Sequence, residues 1–278
     1  MLYKFLIIIF IFFLCINFFK KSKPRFIQSP GDTFLNLGPL SIRWYGLLSS
    51  ISALIILKLS SHLAIKKGLS SNLIEKLFPS LVIFSIIFAR IYYVIFEWRQ
   101  YSEGKIFASV DLFNKKIEIP SFLAVWNGGM SIHGALFGGL IAVIIFCKKN
   151  NYLVLNILDV FVPSIALGQA IHRWGNFFNN EYQFFHPTFL YESIWNLLNF
   201  IILLYLFNIN INGLIKLKDG TLTYIYIMFY SFGRFWIEGL RIDPLCIGGL
   251  PPFCNGGLRA NQLVSIILFV ISILKIIF

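Results

Sequence analysis

Charged residues are scarce in this chain. They make up 13% of its 278 residues, and 58% of the residues are hydrophobic, whereas a soluble domain carries about 25% charged residues. The composition excludes an ordinary soluble domain and predicts a membrane protein. Apolar runs of spanning length indicate an all-α, polytopic fold. The predicted spans are Leu2–Phe19, Tyr45–Ile65, Leu77–Phe96, Ser131–Cys147, Tyr152–Ile171, Phe189–Phe207, Thr221–Gly239 and Gln262–Phe278.

Common ligand signatures are also missing. The chain has neither a P-loop nor a G-x-G-x-x-G turn after a strand, which argues against a nucleotide fold. Its four cysteines show no spacing typical of zinc or an iron–sulfur cluster, so no metal site is expected. Cys15 and Cys147 fall in apolar runs and are interpreted as small hydrophobic residues. Cys246 and Cys254 share one short loop, where they pair only if the loop faces an oxidising compartment.

Basic residues are in excess, with a formal net charge of +12. In a soluble protein this would indicate nucleic acid, but here lysines and arginines lie in loops and at span ends. We therefore expect contact with anionic lipid headgroups and no nucleic-acid partner. The loops predicted on one side of the membrane hold about as many lysines and arginines as the loops on the other side, so the positive-inside rule does not decide the orientation.

The first span is flanked by Lys4 and by a basic segment that follows it, as in a signal sequence. No small-x-small cleavage site follows, so residues 1–25 are predicted to be an uncleaved transmembrane anchor. Residues 26–278 then form the second predicted domain.

Tyr230, Arg234 and Glu238 lie four residues apart inside the span Thr221–Gly239. That spacing places all three on one helix face. An arginine at the bilayer centre costs ~2.5–3.5 kcal/mol on insertion scales, so Arg234 needs a partner, and Glu238 is the nearest one. Asp159 is a further intramembrane acid, expected to pair with an arginine or lysine.

His133 stands in a glycine-rich stretch at the start of the fourth span. Gly134 and Gly138 make a small-xxx-small face, which indicates close helix packing. Two interpretations stay open. His133 is either hydrogen-bonded to a neighbouring carbonyl in a packed interface, or it moves protons, since the ordinary pKa of histidine is about 6.5.

The turn after the fifth span mixes amides, an acid and bases: His172, Arg173, Asn176 and Glu181. Arg173 has the planar donor set that suits phosphate, although an arginine in an ordinary polar loop would also touch headgroups. By itself the segment Ser41–Gly46 indicates only an aromatic interface anchor. The eight-span count places all these groups on one side, which predicts a site for a phosphate-bearing ligand near the headgroup layer.

The motifs resemble the prolipoprotein diacylglyceryl transferase family, in chain order from about Gln28 to Ile271. The segments that carry the resemblance are Ile42-Arg43-Trp44-Tyr45-Gly46, Gly128-Gly129-Met130-Ser131-Ile132-His133-Gly134, Gly168–Phe177, His186-Pro187-Thr188-Phe189-Leu190-Tyr191-Glu192 and Tyr230–Arg241. The resemblance implies a seven-helix core, with the first span as an extra N-terminal transmembrane helix, so that 26–278 is the transferase domain.

The resemblance also implies the reaction. Such an enzyme moves the diacylglyceryl group of phosphatidylglycerol to the lipobox cysteine of a preprolipoprotein, forms a thioether and releases glycerol phosphate. It needs no metal or soluble cofactor. It lies in the plasma (inner) membrane of a bacterium, with its site on the extracytoplasmic side and its C-terminus in the cytoplasm. The family's essential residues match Tyr45, His133, Arg173, Asn176, Glu181, Tyr230, Arg234 and Glu238.

Each predicted residue is given a role that fits this chemistry. His133 acts as the base for the thiol or positions that base, while Arg173 and Arg234 stabilise charge on the departing phosphate. Glu238 orients Arg234, and Tyr45 positions the headgroup. The remaining predicted substrate-binding residues are Asn176, Glu181, Tyr230 and Gly134.

Two departures from the family pattern stand out. Only four residues separate Glu181 from His186, where family members usually carry a much longer segment. His172 replaces the usual glycine before Arg173, which adds a second titrating group or shifts the arginine.

A membrane transporter is the alternative from another class, because intramembrane Arg, Glu and His also mark substrate paths. The absence of repeated halves in the sequence argues against it. A non-catalytic lipid-binding scaffold is a third alternative, for which mutation of His133 would leave the phenotype unchanged.

Overall fold

The computed structural model describes most of the chain after the predicted first span. The described residues are 29–37, 40–102, 107–112, 115–123, 129–179, 187–241, 244, 246–249, 254–255 and 257–278. The span Leu2–Phe19 and the boundary between 1–25 and 26–278 lie outside them, so both stay predictions. Glu181 and His186 also lie outside the described residues.

Seven long helices and two short ones make up most of the described part of the chain. They are α1 (Trp44–Lys66), α2 (Leu73–Phe96), α3 (Trp98–Ser102), α4 (Ile132–Asn150), α5 (Val154–His172), α6 (Trp174–Phe178), α7 (Thr188–Ile211), α8 (Thr221–Gly239) and α9 (Ala260–Ile277). The seven long helices match seven predicted spans to within about a turn. Five stretches, namely α1, α2, Val154–Phe178, α7 and α9, are long and apolar enough to cross a membrane. The predicted polytopic helical membrane fold is confirmed.

Three short antiparallel hairpins were not predicted. They pair β1 (Thr33–Leu37) with β2 (Leu40–Arg43), β3 (Phe107–Leu112) with β4 (Lys115–Pro120), and β5 (Cys246–Ile247) with β6 (Leu258–Arg259). All three lie between or before helices, outside the predicted spans. The first hairpin ends where α1 begins, so it positions the start of α1.

The chain divides into two compact units, residues 1–68 with 158–278 and residues 69–157. In the first unit, α8 packs against α7 and α9 around a buried cluster of Tyr191, Trp195, Phe229 and Ile237. The Trp195 indole Nε1 donates to the Phe229 carbonyl at 2.8 Å. A Cβ at Gly233 would overlap that indole, so the glycine allows α7 and α8 to pack closely.

Asp159 holds the beginning of α8 in the first unit. Its carboxylate accepts from the Gly220 and Thr223 backbone N–H groups at 2.7 and 2.8 Å, and from Thr223 Oγ1 at 2.7 Å. Lys67 Nζ lies 3.9 Å from the same carboxylate. Asp159 is therefore a cap supplied by a neighbouring helix, which satisfies N–H groups that a helix start leaves unpaired. The expected lysine partner is Lys67.

In the second unit, α2 and α4 pack through glycines. Gly134 and Gly138 are both buried, and an added Cβ at either would meet the backbone of α2 at Phe88 or Phe84. The predicted small-xxx-small packing face is confirmed.

Candidate functional site

One buried carboxylate joins two arginines in the first unit. Glu192 lies in the first turns of α7, and its Oε1 is 2.6 Å from Arg234 Nη1 on α8. Its Oε2 forms an ion pair with Nε of Arg173, the residue between α5 and α6. The Glu192 side chain is 7% exposed. The structure therefore brings together the two arginines that were predicted to meet, and a carboxylate lies between them.

A second acid completes this cluster. Glu238 Oε2 is 2.7 Å from Arg234 Nη2, which is the i,i+4 pair expected from the spacing. Asn261 on α9 donates to Glu238 Oε1 at 3.1 Å. Buried charges are costly unless they are paired. The alternation of two arginines and two glutamates explains how these four charged residues are accommodated together.

Tyr45 lies at the start of α1 and contacts His172 at the end of α5. The Tyr45 hydroxyl is 2.8 Å from His172 Nε2, and His172 Nδ1 is 3.2 Å from Ser49 Oγ. A Cβ at Gly175 would come within 2.8 Å of the Tyr45 ring, so this glycine lets the ring pack on α6. Tyr45 is close enough to Arg173 to interact electrostatically.

Tyr230 and Asn176 also lie near Arg173. Tyr230, one turn before Arg234 on α8, and Arg241 both interact electrostatically with Arg173. Asn176 is on α6, and its backbone N–H donates to the Arg173 carbonyl at 3.2 Å. Five of the predicted site residues, namely Tyr45, Arg173, Tyr230, Arg234 and Glu238, therefore belong to one connected set in the first unit.

His133 belongs to the second unit. It lies in the first turn of α4 with an exposed side chain, and its ring centroid is 6.0 Å from that of Tyr92 on α2. The neighbouring Gly134 is buried against α2, so its visible role is helix packing. A meeting of His133 with the arginine cluster stays a prediction, as do the substrate contacts assigned to Gly134 and Glu181.

The segment before His133 is tied to α2 by Arg90. The Arg90 guanidinium donates to the carbonyls of Ser121, Phe122 and Gly129 at 2.7, 2.8 and 2.8 Å. The Ser131 N–H donates to the Ala89 carbonyl at 3.1 Å. Arg90 therefore sets the path of the chain as it enters α4.

Comparison with known proteins shows the family of this chain. The profile of the prolipoprotein diacylglyceryl transferase family matches residues 32–278. The chain belongs to this family. The phosphatidylglycerol–prolipoprotein diacylglyceryl transferase of Prochlorococcus marinus strain MIT 9301 is 54% identical over 278 residues, covering 91% of this chain and 93% of the relative. The protein of the same name from strain MIT 9211 is 51% identical, covering 89% of this chain and 90% of the relative. That from strain NATL1A is 50% identical, covering 90% of this chain and 91% of the relative.

Family membership confirms the resemblance inferred from the motifs, but two central residues were given no role from the sequence. Glu192 was only the last residue of a motif, inside the predicted span Phe189–Phe207, and Arg90 lies inside Leu77–Phe96. The signal that could have found both is general, because an ionisable residue within an apolar span usually has a function or a partner.

The two cysteines left open by the sequence are paired. Cys246 and Cys254 form a disulfide across the loop that follows α8. In the same region, Arg259 Nη1 donates to the carbonyls of Glu238 and Arg241, the latter at 3.1 Å. The loop is thus attached to the end of α8 that carries Glu238.

Proposed function

We propose that this membrane protein transfers the diacylglyceryl group of phosphatidylglycerol to a cysteine thiol in the lipobox of a preprolipoprotein. Family membership and the names of its relatives support the reaction and the lipid substrate. The lipobox peptide is proposed because the product of such a transfer is a lipidated cysteine. In the reaction, a sulfur–carbon bond forms at the diacylglycerol carbon, the carbon–oxygen bond to phosphate breaks, and glycerol phosphate leaves with the bonding electrons.

The observation that carries the proposal is the Arg173–Glu192–Arg234 cluster. Two guanidinium groups, one from the turn between α5 and α6 and one from α8, are held by one carboxylate. Each guanidinium has five N–H donors, more than one carboxylate can accept. The pair can therefore hold Glu192 and the phosphate oxygens together. Because the leaving group gains negative charge, preorganised cations in a poorly solvated site would favour its departure.

Glu238 and Glu192 set the geometry of Arg234 from opposite sides of its guanidinium, through Nη2 and Nη1. Tyr45, Tyr230 and Asn176 are proposed to contact phosphate or glycerol oxygens, with Glu181 and Gly134 as further substrate-binding residues. Tyr45, Tyr230 and Asn176 lie near Arg173. Gly134 ends a family motif, and Glu181 matches a residue that the family resemblance marks as essential.

His133 is proposed to receive the thiol proton. A cysteine thiol with its ordinary pKa of about 8.5 is a weak nucleophile until it is deprotonated. The exposed imidazole at the start of α4 is accessible to such a substrate, and Arg90 fixes the segment that precedes it. No metal or soluble cofactor takes part in the proposed reaction.

We also propose that the site faces the extracytoplasmic side of a bacterial inner membrane. The disulfide supports this orientation, because disulfides persist in oxidising compartments. It joins Cys246 and Cys254 in the loop that follows Glu238, on the side where the arginine cluster lies. The C-terminus, one helix further on, would then lie in the cytoplasm.

The test is complementation of a bacterial strain depleted of its own transferase. The native chain is expected to restore growth and lipoprotein modification, whereas Arg234→Ala is expected to fail at equal membrane abundance. Arg99→Ala is the matched control, since Arg99 is an exposed arginine on α3. Lack of rescue by the native chain, together with no transfer to a lipobox peptide in phosphatidylglycerol vesicles, would contradict the proposal. Substrate uptake into the same vesicles would instead indicate the transporter alternative.

A further inference from the structure

Side chains at the start of α9 hold the end of α8. Asn261 Nδ2 donates to Glu238 Oε1 at 3.1 Å, and Gln262 Nε2 donates to the Phe235 carbonyl at 3.0 Å. Arg259, which immediately precedes α9, donates to the backbone carbonyl of Glu238. Of these contacts, the one from Asn261 ends on a charged side chain of the candidate site.

The two carboxylate oxygens of Glu238 face different groups. Oε2 is 2.7 Å from Arg234 Nη2, and Oε1 accepts from Asn261. Because a carboxylate only accepts hydrogen bonds, the Asn261 amide has to present its NH₂ group to Oε1, which fixes the orientation of the amide. Glu238 is 1% exposed, so bulk water does not reach this carboxylate to replace the amide donor.

We propose that Asn261 is a positioning residue for the transfer reaction, which holds the Glu238 carboxylate in the rotation that orients the Arg234 guanidinium towards the phosphate. The inference rests on the proposed function and on the role assigned to Arg234 in it. Nη1 of the same guanidinium contacts Glu192, so two glutamates fix Arg234 at two points. A cation that is fixed in advance stabilises the charge that develops on the leaving group without reorganising.

Loss of the Asn261 donor removes the constraint on the terminal torsion of Glu238, which is a broad torsion in glutamate side chains. Arg234 would then be held in place mainly by Glu192. A displacement of about 1 Å in a positioning group can lower a rate by up to about a hundredfold. Arg173 keeps its own ion pair with Glu192 and can still bind the phosphate, so the loss should appear in kcat rather than in KM.

The experiment replaces Asn261 by leucine, which has nearly the same size and no donor. It measures kcat and KM for phosphatidylglycerol with the full chain in vesicles and a lipobox peptide, together with thermal unfolding. For Asn261→Leu, kcat is expected to fall on the order of tenfold, while KM stays within about twofold of the native value.

Gln262→Leu is the matched control. It removes an amide of the next residue, which also donates from α9 to α8, but its acceptor is the backbone carbonyl of Phe235. Its thermal unfolding should change about as much as that of Asn261→Leu, because each variant loses one hydrogen bond between the same helices. Its kcat should stay within about twofold of the native value, since Glu238 keeps its amide donor.

A double-mutant cycle tests whether Asn261 acts through Glu238. Glu238→Ala removes the carboxylate and should lower kcat by itself. Addition of Asn261→Leu to Glu238→Ala should then lower kcat by less than about twofold more, because the two residues belong to one chain of contacts. A contribution of Asn261 to folding alone would give the same loss of kcat in both backgrounds.

The outcomes separate the inference from the proposed function. Absence of transfer by the native chain contradicts the proposed function. With an active native chain, a native kcat in Asn261→Leu, an equal fall of kcat in Gln262→Leu, or an undiminished loss in the Glu238→Ala background overturns the inference about Asn261 alone. Should Asn261→Leu not fold, Asn261→Asp at pH 8 decides in the same way, because an ionised carboxylate of the same size accepts hydrogen bonds but donates none.

Discussion

Replacement of Glu192 by glutamine tests the shared carboxylate most directly. Oε1 of Glu192 contacts Arg234 and Oε2 contacts Arg173. Both oxygens of the carboxylate therefore accept from an arginine. Glutamine has nearly the same shape, but one acceptor oxygen becomes an NH₂ donor. Whichever way the amide is turned, it presents N–H groups to one guanidinium. The change also removes the negative charge between two cations.

The magnitude follows from burial. Breaking a buried ion pair costs about 3–5 kcal/mol, but the Arg173 and Arg234 side chains are 24% and 16% exposed. Arg234 also keeps Glu238 as a partner. We therefore expect Glu192→Gln to lower the free energy of unfolding by about 2 kcal/mol. With the arginines no longer spaced by a carboxylate, kcat should fall at least about tenfold, which corresponds to about 1.4 kcal/mol of lost transition-state stabilisation.

The assay combines denaturant unfolding in detergent micelles with diacylglyceryl transfer to a lipobox peptide. Glu75→Gln is the matched control, because Glu75 is an exposed glutamate at the start of α2; it should leave both quantities unchanged. Glu192→Asp should show an intermediate loss, since the shorter side chain retains the charge but reaches one arginine at a time. Native stability and native kcat in Glu192→Gln would refute the role of the shared carboxylate.

Three further predictions concern residues that support the site. Asp159→Asn should lower the free energy of unfolding by about 1–2 kcal/mol, because the start of α8 loses a charged cap; unchanged denaturant unfolding would contradict this. Gly134→Ala should lower the free energy of unfolding by about 1–3 kcal/mol, because the added methyl group overpacks against α2. Gly31→Ala is the comparison: no neighbour lies within 4 Å of that position, but φ is +111°, so only backbone strain should lower its stability. Thermal unfolding measures both variants. Arg90→Ala should reduce kcat more than it raises KM for phosphatidylglycerol, since it releases the segment before His133; an unchanged pH profile of kcat with full activity would argue against that role.

The helices could be predicted because each carries its own signal. A run of apolar residues long enough to span the bilayer forms a helix wherever it lies, since backbone groups in lipid must be satisfied within the segment. The Arg234–Glu238 pair is equally local, because residues four apart on a helix are always neighbours. The predicted site residues come from equally local signals, because each family motif is a short continuous stretch of the chain.

The hairpins and the partners of the buried charges were harder to predict. The strands β5 and β6 have two residues each, too few for an alternating pattern. The sequence did not show that Glu192 pairs with two arginines. Its partners Arg173 and Arg234 are 19 and 42 positions away in the chain. Asp159 was expected to pair with a base, yet most of its hydrogen bonds come from the backbone and side chain at the start of α8.

By itself the sequence determined that the protein is a helical membrane transferase of a known family and where seven of its helices lie to within about a turn. It also predicts which arginines carry the chemistry. These properties depend on composition and on contacts between residues close in the chain. Only the tertiary structure decided that Glu192 connects Arg173 to Arg234, that His172 contacts Tyr45, and that Cys246 and Cys254 pair. Each of these contacts depends on the distance between atoms from separate parts of the chain. That distance is set by how side chains pack between the helices and loops, and the order of residues in the sequence does not specify this packing.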